Sequence, residues 1–366
     1  MASIVAYLIG IALVVYVLET ALRTVVLPRA SRSSLTTTLL RFVETTFKWV
    51  ANRRKRYEDQ ESILAAIAPV GLLLIPATWI GLVLIAGAFM FWGTDPDMGW
   101  RGAFHLSGSS ITTLGFAPAS GAGQQLIAFI EATLGLLLLT LLITYLPTIY
   151  AGFQRREQKV ALMDVRAGAP PSAEVMLRRF HTIGWIDTMT EEWLVWERWF
   201  VELDESHTTQ ASLPWFRSTH PNRSWVTSAG TALDAASIYV SSVDGLEVQE
   251  RAAASLSIRA GFITLRRIAE TLDLPFDADP APSDPISIQR QEFDEVLERL
   301  GETGIPIVAD QDQAWKDFAG WRVNYDNALL GLSQKLRVPY APWTSDRYPL
   351  VQARHRLRRR RKHSGA

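Results

Sequence analysis

The chain has 366 residues, 48% of them hydrophobic, and its 37 Lys and Arg residues balance its 37 Asp and Glu residues. It contains no cysteine, which excludes disulfides, thiolate catalysis and cysteine-ligated metals. The average hides a split, because the part up to about residue 150 is rich in Leu, Ile, Val and Ala while the rest is charged and tryptophan-rich. Such a length is compatible with about two domains.

Three segments are apolar enough to cross a membrane, which takes roughly 20 consecutive residues in a helix. They cover residues 3–26, 63–92 and 126–150. Between the first and second segments lie eight basic residues, and more follow the third, whereas the loop between the second and third opens with Asp95 and Asp97. Because basic loops stay on the cytoplasmic side, we expect a multi-pass cell-membrane protein with its N-terminus outside and its C-terminal region in the cytoplasm.

The loop between the second and third segments contains the stretch ITTLGFAP, residues 111–118. Residues 99–111 have moderate helical character, and Pro118, Gly121 and Gly123 stop a continuing helix. We therefore expect a short helix that re-enters the membrane, followed by extended backbone. Non-helical backbone at membrane depth is tolerated when it is buried in protein or lines a watery cavity, where its carbonyl oxygens suit a dehydrated cation.

This arrangement resembles the pore unit of bacterial two-helix potassium channels, over about residues 63–157. In that family, carbonyl rings of a short filter replace the hydration shell of the ion. By position, the resemblance assigns the filter to Thr113, Leu114, Gly115, Phe116 and Ala117. It also implies a homotetramer, a permeant potassium or other monovalent cation, and no further cofactor.

The filter departs from the family pattern at three positions. Ala117 replaces the second glycine, where a positive φ is expected to cost alanine energy. Pro118 stands where many members have aspartate, and Phe116 lacks the tyrosine hydroxyl that braces the filter. These departures predict a softened filter, which either passes sodium as well or is closed. An ordinary re-entrant turn in an unrelated membrane protein is the alternative interpretation.

Three further residues are candidates for filter support or gating: Thr112, Glu131 and Gly135. Glu131 is an ionisable residue in a spanning segment and is functional by default, bracing the filter or pore helix; alternatively it lies in the first turns of its helix, where a carboxylate favours the dipole and reaches water. Gly135 lies near the hinge glycine that the resemblance implies for the pore-lining helix.

The first cytoplasmic segment, residues 28–62, contains an amphipathic helix. Its apolar stripe is formed by Leu39, Val43, Phe47 and Val50, and we expect it to lie on the inner leaflet or to pack on the cytoplasmic domain. The basic run Arg53, Arg54, Lys55 and Arg56 is predicted to contact anionic lipid head groups.

The C-terminal part predicts an α-helical domain over residues 154–346, with helices at about 224–243, 246–272, 286–300 and 313–337. Trp193, Trp196, Phe200 and Leu203 form a helical stripe typical of a core. A basic tail, 347–366, is expected either to bind anionic lipid or to remain solvated. No glycine-rich dinucleotide motif, nucleic-acid-binding fold or catalytic constellation is recognisable, so we expect neither an enzyme nor a nucleic-acid partner.

The sequence thus predicts an all-α membrane protein with an N-terminal transmembrane helix (1–27), a pore domain (63–153) with one re-entrant loop, and a helical cytoplasmic domain. The expected function is a potassium-permeable cation channel, with the cytoplasmic domain serving assembly or gating. The alternative is a non-conducting, channel-like receptor or scaffold that signals through its C-terminal domain.

Overall fold

The computed structural model describes residues 1–25, 34–210 and 212–347. All regular elements in these ranges are helical, and a single antiparallel bridge joins Val243 and Ile307. The α-helices are α1 Ala2–Val25, α2 Ser34–Asn52, α3 Tyr57–Ala65, α4 Ile67–Thr94, α5 Gly99–Ile111, α6 Gly121–Ala167, α7 Ala173–Thr182, α8 Met189–Thr209, α9 Trp225–Ser242, α10 Val248–Thr271, α11 Arg290–Glu302, α12 Gln311–Arg322 and α13 Asp326–Leu336.

Three helical stretches are long and apolar enough to span a membrane: Ala2–Val25, Glu58–Thr94 and Gly121–Ala167. The predictions of an all-α fold and of three helices that could span a membrane are confirmed at this level. The third helix is much longer than predicted, since it continues without a break to Ala167. Pro147 lies inside it, as is tolerated in spanning helices, where neighbouring groups satisfy the freed carbonyl.

The chain divides into two compact units, Met1–Ala151 and Gly152–Ala366. In the first unit, α1 packs along α4 through glycines. A Cβ added at Gly10 would overlap the backbone of α4 at Ala86, and one at Gly93 would overlap α1 at Ser3. Small residues at these points let two helix backbones approach closely, which is the usual basis of packing between spanning helices.

The amphipathic helix α2 packs one face against α1 and α4, with Leu39 of the predicted stripe half-buried against their core. Val43 is buried, and Leu40 packs on the face of α4 left open by Gly71. Thr36 and Thr24 bond their hydroxyls at 2.9 Å, which fixes α2 to the end of α1. The opposite face of α2 is exposed and carries its own aromatic residues, Phe42 and Trp49.

In the second unit, α8, α9 and α10 form the core, and every residue of α9 is buried. The predicted stripe of α8 is confirmed as core, since all four of its members are buried. The helix predicted over residues 313–337 is wrong as a single element, because α12 ends at Arg322 and α13 begins at Asp326. The side chain of Asn324 donates to the Gly320 carbonyl at 2.9 Å, a local hydrogen bond that competes with helix continuation.

Candidate functional site

The predicted filter residues lie together in one irregular loop between α5 and α6. Helix α5 ends at Ile111, and the Thr112 hydroxyl donates back to the Gly108 carbonyl at 2.5 Å. The backbone then enters the left-handed region at Thr113 (φ 57°) and again at Gly115 (φ 70°). A left-handed conformation is uncommon for a β-branched residue, so Thr113 marks a point where the surrounding structure imposes the backbone geometry.

Ser109, which sequence reasoning missed, holds this loop against α5. Its hydroxyl accepts from the Ala117 N–H at 3.0 Å, and its carbonyl accepts from the Leu114 and Gly115 N–H groups at 3.1 and 3.4 Å. Ser109 is buried, so these bonds are shielded from water. A small hydroxyl residue near the end of the short helix was the available signal in the sequence.

Ala117 does not adopt the positive φ expected of the second filter glycine. Within the described loop, the left-handed positions are Thr113 and Gly115. The expected strain at Ala117 therefore does not arise, because its N–H is bonded to Ser109 in a conformation open to any L-residue.

The outer side of the loop is exposed in the single chain. Leu114 and Phe116 are 70% and 60% exposed, and the nearest aromatic neighbour of Phe116 is His105, with ring centroids 6.4 Å apart. Exposed apolar patches mark contacts with another protein chain or with a membrane, and these two side chains are candidates for such a contact.

Glu131 joins three helices behind the loop. It is 3% exposed, and its carboxyl forms a short hydrogen bond with the Ser107 hydroxyl of α5. The Ser107 hydroxyl also lies 2.7 Å from the Leu84 carbonyl of α4, and Gly87 of α4 leaves the space that the carboxyl fills. Of the two interpretations offered by the sequence, these contacts favour a brace behind the short helix over a carboxylate that reaches water.

Gly135 packs directly on the C-terminal end of α5. A Cβ at this position would overlap the Ile111 carbonyl oxygen. The glycine therefore permits a close approach of α6 to the start of the loop, whereas the hinge role that the resemblance implies stays a prediction.

Helix α6 carries a row of threonines that sequence reasoning also missed. They are Thr133, Thr140, Thr144 and Thr148, spaced so that they share one face, and all are exposed or half-buried. Each hydroxyl donates to a carbonyl one turn earlier, at 2.8 to 3.3 Å. The hydroxyl hydrogens are thus satisfied within the helix, while the oxygen atoms give an apolar helix one polar face.

The basic run at residues 53–56 is exposed and follows directly on α2. The Arg53 guanidinium lies over the Trp49 ring, 3.5 Å from its centroid. Of the predicted basic tail, Arg347 is described and pairs with Glu292 at 2.8 Å; residues 348–366 lie outside the described residues.

No cluster of three or more metal-ligating His, Asp or Glu side chains occurs in the part of the chain that the structure describes. Near the end of α8, an acidic and an imidazole side chain are bonded within the protein. Asp204 pairs with Arg267 at 2.5 Å, and His207 is buried between Ser206 and Arg156.

His207 lies within the second unit beside Arg156, and its burial makes the stability of this unit depend on pH. Arg156 Nη1 lies 3.2 Å from its Nε2, and burial together with this cation lowers the pKa of the imidazole well below its ordinary value. Below about pH 6.5 the unfolded chain binds a proton that the folded chain does not. Stability is therefore lost as the pH falls, by up to about 2 kcal/mol for this residue between pH 7.5 and pH 5.

We expect chemical unfolding of the full chain, monitored by tryptophan fluorescence at several pH values, to show this loss of stability. His207→Gln should reduce the pH dependence by that amount, whatever its effect at neutral pH. The control is His220→Gln, which alters an exposed imidazole and should leave the dependence unchanged. Equal slopes for both variants would contradict the assignment.

Comparisons of the chain with protein-family models, curated proteins and solved structures found no match. The fold defines the class of protein as an all-helical one with three candidate membrane-spanning helices. The proposal of a particular function therefore depends on the geometry of the residues described above.

Proposed function

We propose that the protein is a cation channel in which the backbone carbonyls of residues 113–117 bind the ion. The observation that carries the proposal is the loop itself, whose repeated left-handed backbone is tied to a short helix by Ser109, between two apolar helices. Backbone of this kind at membrane depth needs a polar lumen or a protein environment. A ring of carbonyls supplies such an environment to a monovalent cation, with potassium as the expected ion.

A ring of carbonyls needs several loops, and each chain contributes one, so the proposed pore is a homotetramer. The exposed Leu114 and Phe116 would pack on neighbouring copies, and the threonine face of α6 would line the water-filled path below. Glu131 and Gly135 would hold the short helix and the loop in place from behind. We further propose the orientation expected from the basic loops, with the second unit in the cytoplasm.

The alternative proposal is a non-conducting receptor or scaffold with a channel-like membrane unit. The ordinary backbone conformation of Ala117 favours it, because the loop lacks a left-handed residue at the position of the second filter glycine. Signals would then pass through the second unit, and the membrane unit would serve assembly.

Single-channel recording of the purified protein in a planar bilayer, with potassium on one side and sodium on the other, tests these proposals. Reversal near the potassium limit supports a selective pore, and reversal near zero supports a nonselective cation pore. Current from Ala117→Gly together with silence from the wild type favours the receptor. Silence from both, with the tetramer intact, contradicts the channel.

A matched pair of variants tests whether the loop carries the ion. Ser109→Ala removes the hydroxyl that holds Ala117, and we expect conductance or ion preference to fall at least tenfold. Ser110→Ala removes a hydroxyl that donates to the Leu106 carbonyl at 2.8 Å within α5 and should leave the current near that of the wild type. Currents from both variants that equal the wild-type current would contradict a conducting role for the loop.

A further inference from the structure

Helix α2 has a second apolar face, directed away from the helices on which it packs. Phe42 and Trp49, seven residues apart, are 65% and 55% exposed. Residues seven apart in a helix share a face, and this face lies opposite the buried Leu40 and Val43. No other helix covers these two rings within the described residues, and such large exposed aromatic surfaces favour an apolar environment outside the chain.

The end of this aromatic face is cationic. Arg53 stacks on Trp49, and the exposed Arg54, Lys55 and Arg56 follow. Within the described residues, neither Arg54 nor Lys55 forms an ion pair, whereas Arg56 is 3.9 Å from Glu58. Lys48 is neutralised by Glu44 at 2.6 Å, so the positive charge is concentrated in the run at residues 53–56.

The packing of α2 places this surface at the boundary of the candidate spanning helices. Thr36 bonds Thr24 in the last turn of α1, and Leu40 packs on Gly71 in the first turns of α4. The two contacts fix α2 at the ends of two consecutive spanning helices, which lie on the same side of the membrane. Aromatic side chains concentrate at such boundaries, because one part of the ring is in an apolar phase and the other in water.

We propose that the outer face of α2 binds anionic phospholipids of the adjacent leaflet. Phe42 and Trp49 insert among the upper acyl chains, and the guanidinium and ammonium groups of residues 53–56 bind the phosphates. The lipid is the occupant that fits both halves of the surface, since a free phosphate would use the cations and leave the aromatic rings in water. Of the stripe predicted to face the leaflet, Val43 is buried and Leu39 is half-buried against the protein, so the proposed lipid surface is a different face of α2. This inference depends on the membrane placement of α1 and α4 and not on ion conduction.

The absence of cysteine from the sequence allows a single labelled site. Thr45→Cys introduces a thiol at an exposed position on the same side of α2 and keeps both aromatic residues. The full chain, labelled with an environment-sensitive fluorophore, is reconstituted in nanodiscs of phosphatidylcholine alone or with a quarter of phosphatidylglycerol. Quenching by a nitroxide on the lipid chains is compared with quenching by aqueous iodide. Glu302→Cys, at an exposed position in the second unit, is the reference for a label in water.

We expect the lipid nitroxide to quench the label at residue 45 several-fold more than the reference label, with a further increase in phosphatidylglycerol. Replacing Arg54, Lys55 and Arg56 by glutamine should abolish that increase, and Phe42→Ser with Trp49→Ser should abolish the lipid quenching itself. Iodide quenching equal to that of the reference label would overturn the proposal, as would quenching that ignores the lipid charge. If inorganic phosphate in detergent shifted the emission of the label at residue 45 as phosphatidylglycerol does, the cations would be binding a soluble anion. That result would also overturn the proposal.

Discussion

Replacing Arg322 by methionine is expected to lower the free energy of unfolding by about 3–5 kcal/mol, the usual cost of removing one partner from a buried ion pair. Arg322 is fully buried, and it donates to Asp234 at 2.5 Å, to Asp326 at 2.8 Å and to the Trp343 carbonyl at 2.7 Å. Burial raises the pKa of Asp234 and the attraction of Arg322 lowers it. Without the guanidinium, two carboxyl groups stay in the core with no cation.

Chemical unfolding of the full chain in detergent, monitored by tryptophan fluorescence, measures this loss. The control is Arg290→Met, because Arg290 pairs with Asp294 and Asp312 at the protein surface, where an ion pair contributes about 1 kcal/mol or less. Adding Asp234→Asn to Arg322→Met should recover part of the loss, since it removes one uncompensated charge. Similar losses from Arg322→Met and Arg290→Met would show that the buried network does not stabilise the second unit.

The second large effect is expected at Gly135, where alanine should destabilise the first unit by about 1–3 kcal/mol through overpacking and lower the proposed cation current at least tenfold. The added methyl group would overlap the Ile111 carbonyl oxygen. A backbone atom cannot rotate away as a side chain can, so the end of α5 must move, and the loop at residues 112–117 must move with it.

Gly81→Ala is the matched control, because a Cβ at this position in α4 meets no atom within 4 Å. Alanine is the better helix former, and this change should be neutral or stabilise by about 0.5–1 kcal/mol. Thermal unfolding in detergent and ion flux into liposomes provide the two readouts. If Gly135→Ala kept the wild-type unfolding temperature and the wild-type ion flux, the close approach of α6 to α5 would be needed neither for stability nor for conduction.

Much of the fold follows from local signals in the sequence. The candidate spanning helices were predictable because length and apolarity alone identify them. The stripe of α8 was predictable because a period of 3.6 residues places its aromatic side chains on one face. Periodicity identifies an apolar face but not the partner that covers it. Helix α2 has apolar residues on two sides, and the sequence alone does not say which side packs on the protein. The break between α12 and α13 was missed because no glycine or proline marks it, whereas the Asn324 side chain bonds the Gly320 carbonyl there.

The candidate site divides in the same way. A resemblance placed residues 113–117 in one loop, and the structure brings them together there. Ser109 escaped notice because an isolated serine in a short helix has many ordinary roles. The network around Arg322 joins residues 88 positions apart in the sequence, and no local pattern identifies such a pair.

The bonds from Ser109 determine when the loop loses its conformational freedom. They lie within one chain and hold Leu114, Gly115 and Ala117 without any group from another subunit. Ordering five residues costs roughly 5–10 kcal/mol of conformational entropy, and bonds within the chain offset part of this cost independently of assembly. In the proposed tetramer, subunits would therefore associate through loop surfaces that are already ordered. Collision and orientation would then set the association rate constant.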